Sequence, residues 1–227
     1  MIRRRGGKGM KLGPFGLVAC AFFVAWPERS LAQVSQSDID GLLALHNAER
    51  CMVNPTAASM PAIGWDDLLA MVAQTYANGC VLAHNANRTA QYAALGGSGY
   101  VGENIAWGTT GGFTLVDLAL LWADEKSSWT YAPIDSMNVS GTGHYTQMIW
   151  ADTLAVGCGA ATCAPYTFLV CDYAPGGNYL GEYPYAEGNG PNQACPEPGR
   201  ALALATALGT LAALSAARAP GGRRLRA

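Results

Sequence analysis

The chain has 227 residues, half of them hydrophobic and only 13% charged, with a formal net charge of −2. That total hides an asymmetry: from Gln33 to Arg200 four basic residues face fifteen acidic ones, a balance of −11, and the other basic residues sit at the two ends. An acidic body argues against nucleic acid as a partner and against charge-driven docking on anionic lipid.

Arg3, Arg4, Arg5, Lys8 and Lys11 form a basic opening, and Leu12 to Trp26 is an apolar run broken by Gly and Pro. With the small residues of Ser30-Leu31-Ala32 this predicts a secretory signal peptide over residues 1–32, cut after Ala32. The alternative, a signal anchor, needs a longer apolar run. Cys20 lies inside the signal, which leaves Cys51, Cys80, Cys158, Cys163, Cys171 and Cys195. An even number on an oxidising route predicts three disulfides, with about 15 pairings open to six cysteines. A zinc cluster is set aside because no Cys-x-x-Cys pair exists.

The remainder, residues 33–200, suits one domain with a proper core. Ser37 is predicted to cap a helix through Ile39, Leu42, Leu43 and His46 to about Arg50. Asn54-Pro55 and Met60-Pro61 punctuate a loop. Asp66 or Asp67 opens a second helix whose Leu68, Leu69, Val72, Ala73 and Tyr76 recur at three and four, ending near Asn78-Gly79. A Gly-rich, irregular stretch is expected through Gly108. Thr114 to Asp117 reads as a capping box for a third helix carrying Leu118, Leu121, Trp122 and Glu125. Ala155 to Ala160 and Tyr166 to Tyr173 read as strands, and the chain after Pro175 as loop. Helices first and strands late predict an α+β layered domain, not a parallel βαβ fold.

Beyond that domain, Ala201 to Ala217 is Ala/Leu-rich and uncharged, and Arg218, Arg223, Arg224 and Arg226 follow. Apolar then basic is the order of a stop-transfer segment, so 201–217 is a candidate membrane tether. A lipid-anchor signal and an Ala-rich tail without structure are the alternatives.

The chain has three histidines, and two of them stand in unusual settings. His144 lies in Gly143-His144-Tyr145-Thr146-Gln147-Met148-Ile149-Trp150, and His84 follows Cys80-Val81-Leu82-Ala83. Between them come Glu103, in Gly102-Glu103-Asn104-Ile105, and Glu125, after Trp122-Ala123-Asp124. Two histidines and two glutamates make a metal or acid–base hypothesis. Each also has a plain reading: His144 hydrogen-bonded in a polar loop, His84 at a helix C-terminus, Glu103 solvated, and Glu125 paired with a cation such as Lys126 or Arg88.

In order and spacing these segments resemble the CAP superfamily (cysteine-rich secretory proteins, antigen 5 and pathogenesis-related one proteins). Leu45-His46-Asn47-Ala48-Glu49-Arg50 resembles its first helix and Ile63-Gly64-Trp65-Asp66 the entry to its second. The segments around Glu103, Glu125 and His144 resemble its central motifs, and Val156-Gly157-Cys158 and Val170-Cys171-Asp172-Tyr173 its strands. Gly177 to Tyr185 resembles its last signature, so the likeness runs from about Leu42 to Tyr185. It implies a single three-layer α-β-α sandwich with a central antiparallel sheet, stapled by disulfides. It also implies one large cavity lined by His84, Glu103, Glu125 and His144. There the two histidines would hold Zn2+ or another divalent cation weakly, with Glu103 and Glu125 as cavity carboxylates open to a catalytic role. His46 lies outside this tetrad and reads as structural. The resemblance further implies Cys158 bonded to Cys171 and Cys80 to Cys163, which leaves Cys51 for Cys195. Asn87-Arg88-Thr89 and Asn138-Val139-Ser140 are glycosylation sequons. No cysteine follows Cys195, so the family's cysteine-rich C-terminal module is not expected within this sequence.

The reading that follows is a secreted or cell-surface domain that binds a sterol, fatty acid or other small lipid. The first alternative is a zinc-dependent peptidase using the tetrad, with a glutamate as general base. Against it stand the missing third metal ligand and the lack of a Ser or Cys nucleophile beside a base. The second alternative is a non-catalytic protein-interaction module.

Overall fold

The computed structural model describes residues 34–195; the expected signal peptide and the 201–227 tail lie outside the described residues. The chain order is α1 (Gln36–Cys51), β1 (Gly64–Trp65), α2 (Asp67–Ala77), α3 (Arg88–Ala94), β2 (Gly102–Thr109), α4 (Leu115–Asp124), a 3-10 turn (Glu125–Ser128), α5 (Val139–Met148), β3 (Ala155–Cys163) and β4 (Tyr166–Ala174).

Helix starts follow side-chain caps. Helix α1 is capped by Ser35, not Ser37: Ser35 accepts from the Asp38 N–H and the Asp38 side chain returns to the Ser35 N–H. Ser37 also has a carboxylate three residues on, Asp40, but the helix already begins at Gln36, so Ser37 falls inside the first turn and Ser35 closes the reciprocal box. Asp66 caps α2, and Thr114 with Asp117 forms the expected box on α4.

The strands lie in the order β1-β3-β4-β2. The three long strands are antiparallel, as the resemblance implies, while the two-residue β1 pairs parallel to β3. Alternation then assigns every side chain to a face. Gly157 and Gly159 point at α2, where an added Cβ would lie 2.2 Å from the backbone nitrogens of Ala70 and Gln74. Only glycine lets this helix lie so close to the sheet. Ile105, Ala161 and Val170 share that face and pack on Ala73 and Ala77. The other face carries Val156, Cys158, Leu169, Cys171 and Tyr173. It packs on Leu42 of α1, Leu118 and Trp122 of α4, and Tyr145 and Met148 of α5. The result is a helix–sheet–helix sandwich with the larger core under α1, α4 and α5.

Disulfides join Cys51 to Cys195, Cys80 to Cys163 and Cys158 to Cys171. The last links directly opposed residues of β3 and β4 inside the larger core. A second staple is Arg50, which is fully buried without a carboxylate partner among the described residues. Its guanidinium donates instead to the carbonyls of Pro61, Met148, Trp150, Ala151 and Thr153. This fastens the end of α1 to the exit of α5, where helix carbonyls point outward and favour a cation.

Candidate functional site

Strand β2 is the edge of the sheet, and the two helical layers meet across it. Its residues alternate, so Glu103 faces the α2 layer while Asn104 faces the α5 layer. His84 comes from the loop after α2 and His144 from the middle of α5. All four members of the tetrad line a single cavity of about 280 Å³, together with Asn104 and Asn178. An adjoining cavity of about 260 Å³ shares both histidines and is otherwise apolar, walled by Leu82, Ile105 and Trp107.

The tetrad is two carboxylate–imidazole pairs. His84 Nδ1 lies 2.8 Å from Glu103 Oε1, and His144 Nδ1 lies 2.6 Å from Glu125 Oε1. A carboxylate accepts, so in both rings Nδ1 carries the proton, and it is Nε2 that is left to meet a ligand. The carboxylates are themselves held. Glu103 Oε1 also takes the Asn85 N–H, and Glu125 Oε2 takes the N–H groups of His144 and Tyr145. Glu125 thus binds His144 and not a surface cation: Lys126 pairs with Glu49 at 2.9 Å, and Arg88 donates to the carbonyls of Val101 and Asn85. The His84 ring is 61% exposed above a fully buried Glu103 carboxylate, so in this pair the imidazole is the outer group; in the other, His144 and Glu125 are both partly exposed.

Further contacts fix the α5 side. Trp122 stacks on His144 with centroids 6.2 Å apart. Asn104 Nδ2 donates to the His144 carbonyl and to the Tyr173 hydroxyl. Tyr173 in turn lies 2.9 Å from His46 Nε2, while His46 Nδ1 lies 2.7 Å from the Leu42 carbonyl. Nδ1 therefore donates to Leu42 and Nε2 accepts from Tyr173. Burial holds His46 neutral, lowering its pKa to about 4. It is a structural residue outside the cavity.

Sequence reasoning missed the roles of Asn104, Asn178 and Gln147. Asn178, at φ 59°, accepts from the Thr146 hydroxyl and donates to the Gly143 carbonyl. Gln147 accepts from the Gly177 N–H, and a Cβ on Gly102 would sit 2.1 Å from its Oε1. The signal was present in the small residues Gly102 and Gly177 beside polar neighbours, but partner identity needs the fold. Of the sequon asparagines, Asn87 is exposed, whereas Asn138 donates through Nδ2 to the Pro133 carbonyl.

Among the described residues no group of three or more His, Cys, Asp or Glu side chains has metal-holding geometry. The donor set a metal would use is the two imidazole Nε2 atoms, because the carboxylates are committed to Nδ1. That set fits a borderline ion such as Zn2+ whose remaining positions are water or ligand. A larger cavity of about 380 Å³ lies away from the tetrad, between Val34 and Ile39 near the start of α1 and Trp65 and Met71.

The model of the cysteine-rich secretory protein family (CAP) matches residues 43–173. Mouse "Peptidase inhibitor R3HDML" is 34% identical over 186 residues, covering 74% of this chain and 70% of the relative. Human "GLIPR1-like protein 1" is 37% identical over 156 residues, covering 66% of this chain and 63% of its own length. Among solved structures, NaASP2 with Zn2+ is 26% identical with a TM-score of 0.62, covering 75% of this chain and 94% of that one.

Proposed function

Since the chain belongs to the cysteine-rich secretory protein (CAP) family, we propose that it is an extracellular binding domain holding a divalent cation, zinc first, between His84 and His144. The observation that carries this is the matched pair of carboxylate–imidazole contacts at 2.8 and 2.6 Å, which leaves both Nε2 atoms as donors on one cavity. A carboxylate behind a ligand histidine fixes its tautomer and raises its basicity. The Zn2+ carried by the NaASP2 structure supports the choice of ion. Two protein ligands mean modest affinity and open coordination positions. Three disulfides suit the oxidising route outside the cell.

The same geometry weakens the peptidase reading. A general base must face the substrate water, yet Glu103 Oε2 is buried and Glu125 already accepts three donors. Both glutamates orient imidazoles. Calorimetric titration with Zn2+ tests the proposal: the wild type binds one ion, and His84→Ala with His144→Ala abolishes binding. Peptide turnover by the wild type that Glu103→Gln or Glu125→Gln removes would favour hydrolysis instead.

A second reading, carriage of a sterol or fatty-acid-like ligand, is favoured by the largely apolar 380 Å³ groove beside Trp65 and Met71, which has the size of a small-ligand site. Cholesterol or palmitate uptake that survives the histidine substitutions and is lost in Met71→Lys assigns the lipid to that groove. Uptake unaffected by Met71→Lys removes it.

A further inference from the structure

Three carboxylate oxygens behind His84 have no hydrogen-bond partner. Glu103 Oε1 takes both available donors, His84 Nδ1 and the Asn85 N–H, while Oε2 is buried and takes none. Neither oxygen of Asp172 has a partner, and Asp172 is 0% exposed. Glu103 and Asp172 are directly opposed on β2 and β4, which puts their Cβ atoms about 5 Å apart on one face of the sheet. The position opposite Asp172 on β3 is Gly157, and backbone of Ala70 and Asp66 fills the space a side chain would take.

Two ionised carboxylates so placed, out of water, repel each other and leave every lone pair unmet. One proton removes the conflict. We propose that Asp172 is a neutral carboxylic acid that donates its O–H to Glu103 Oε2, and is thereby the positioning residue that fixes Glu103 and, through it, His84. The proton stays on Asp172. Glu103 then accepts three donors, and His84 is held with its proton on Nδ1 and its Nε2 toward the cavity.

The surroundings agree. Burial first, and then the charge of Glu103, push the Asp172 carboxyl up to about 8, against an opposing pull from Arg88. Arg88, from α3, spends its guanidinium on the carbonyls of Val101 and Asn85 and on the Tyr100 hydroxyl. Asp66, at the start of α2, accepts from the Leu69 N–H and the Tyr92 hydroxyl. His84 is committed to Glu103. None of these donates to Asp172.

The inference deepens the cation reading of this site, but its test needs no metal. Thermal unfolding of the full chain and of Asp172→Asn is measured from pH 4 to 8. The amide can still donate to Glu103 and cannot ionise. An acid whose folded pKa is raised must take up a proton on folding above its unfolded value, so wild-type stability falls relative to the variant as pH rises. The expected result is an advantage for Asp172→Asn that widens steadily from pH 4 to 8. A difference that is constant or shrinks with pH overturns the proposal. Nitrogen-15 NMR of His84 at pH 7 reads the positioning: Nδ1–H is kept in Asp172→Asn, and an Asp172→Asn chain with a mixed tautomer contradicts it. Failure of the wild type to bind Zn2+ sinks the cation reading alone and leaves these readouts standing.

Discussion

Single residues in this molecule are decided by what their polar atoms meet once water is gone. Arg50 could have been read as the basic end of an amphipathic helix; the fold instead buries it among five carbonyls. Burial lowers its pKa to about 10, so it stays charged at neutral pH. Arg50→Ala strands those carbonyls, and urea denaturation should show a loss of roughly 3 kcal/mol or more. His46 makes the complementary case. Its folded pKa of about 4 lies below the ordinary 6.5, so the unfolded chain binds the proton more readily between those values. The His46 contribution to stability is therefore complete above pH 6.5 and falls by roughly 3 kcal/mol on acidification to pH 4. His46→Gln should abolish that fall in an unfolding titration.

At the scale of elements, legibility follows from how local the cause is. Helices α1, α2 and α4 and strands β3 and β4 were readable because capping oxygens and apolar spacing lie within a few residues of one another. Thr114→Ala should cost about 1 kcal/mol by chemical denaturation, as a lost cap does. Strand β2 was hidden because it has Gly102 and Gly108 at its ends and buries polar Glu103 and Asn104, so neither alternation nor composition marked it. Helix α5 contains Gly141, Thr142 and Gly143, poor helix formers that tertiary contacts override. Seven-residue α3 begins without a side-chain cap from Asn87. Yet most of the cavity wall comes from two of these missed elements, β2 and α5. That is why the tetrad was visible as residues and by family likeness, while its pairing, His84 with Glu103 and His144 with Glu125, was not. The α2 contact with the sheet gives a sharp check. Gly157→Ala drives a methyl into backbone at 2.2 Å, and a Tm drop corresponding to about 2–3 kcal/mol is expected. An unchanged Tm would contradict the close packing of helix on sheet.

At the scale of the whole molecule, three disulfides and a two-sided core hold the layers whose meeting line is the site. Cys51–Cys195 spans 144 residues and Cys158–Cys171 spans 13. Loop entropy alone ranks the longer first, by about 2 kcal/mol. The shorter lies in the core, however, with its cysteines 2% and 0% exposed, so its removal also leaves a packing defect. Replacing each pair by alanine should bring the two losses close together in denaturant midpoint. The pH response is likewise a property of the whole. His46 makes stability rise with pH from 4 to 6.5, while Asp172 makes it fall from its unfolded pKa up to about 8. Their contributions oppose each other below pH 6.5, and Asp172→Asn should expose the His46 slope alone.

The central claim is that two imidazoles, each oriented from behind by a carboxylate, offer their Nε2 atoms to one cation. Anomalous diffraction at the zinc edge from crystals grown with Zn2+ tests it most directly. The account requires a single anomalous peak about 2.0–2.1 Å from Nε2 of both His84 and His144. A peak that touches only one of the two rings, or lies elsewhere on the acidic surface, would contradict it.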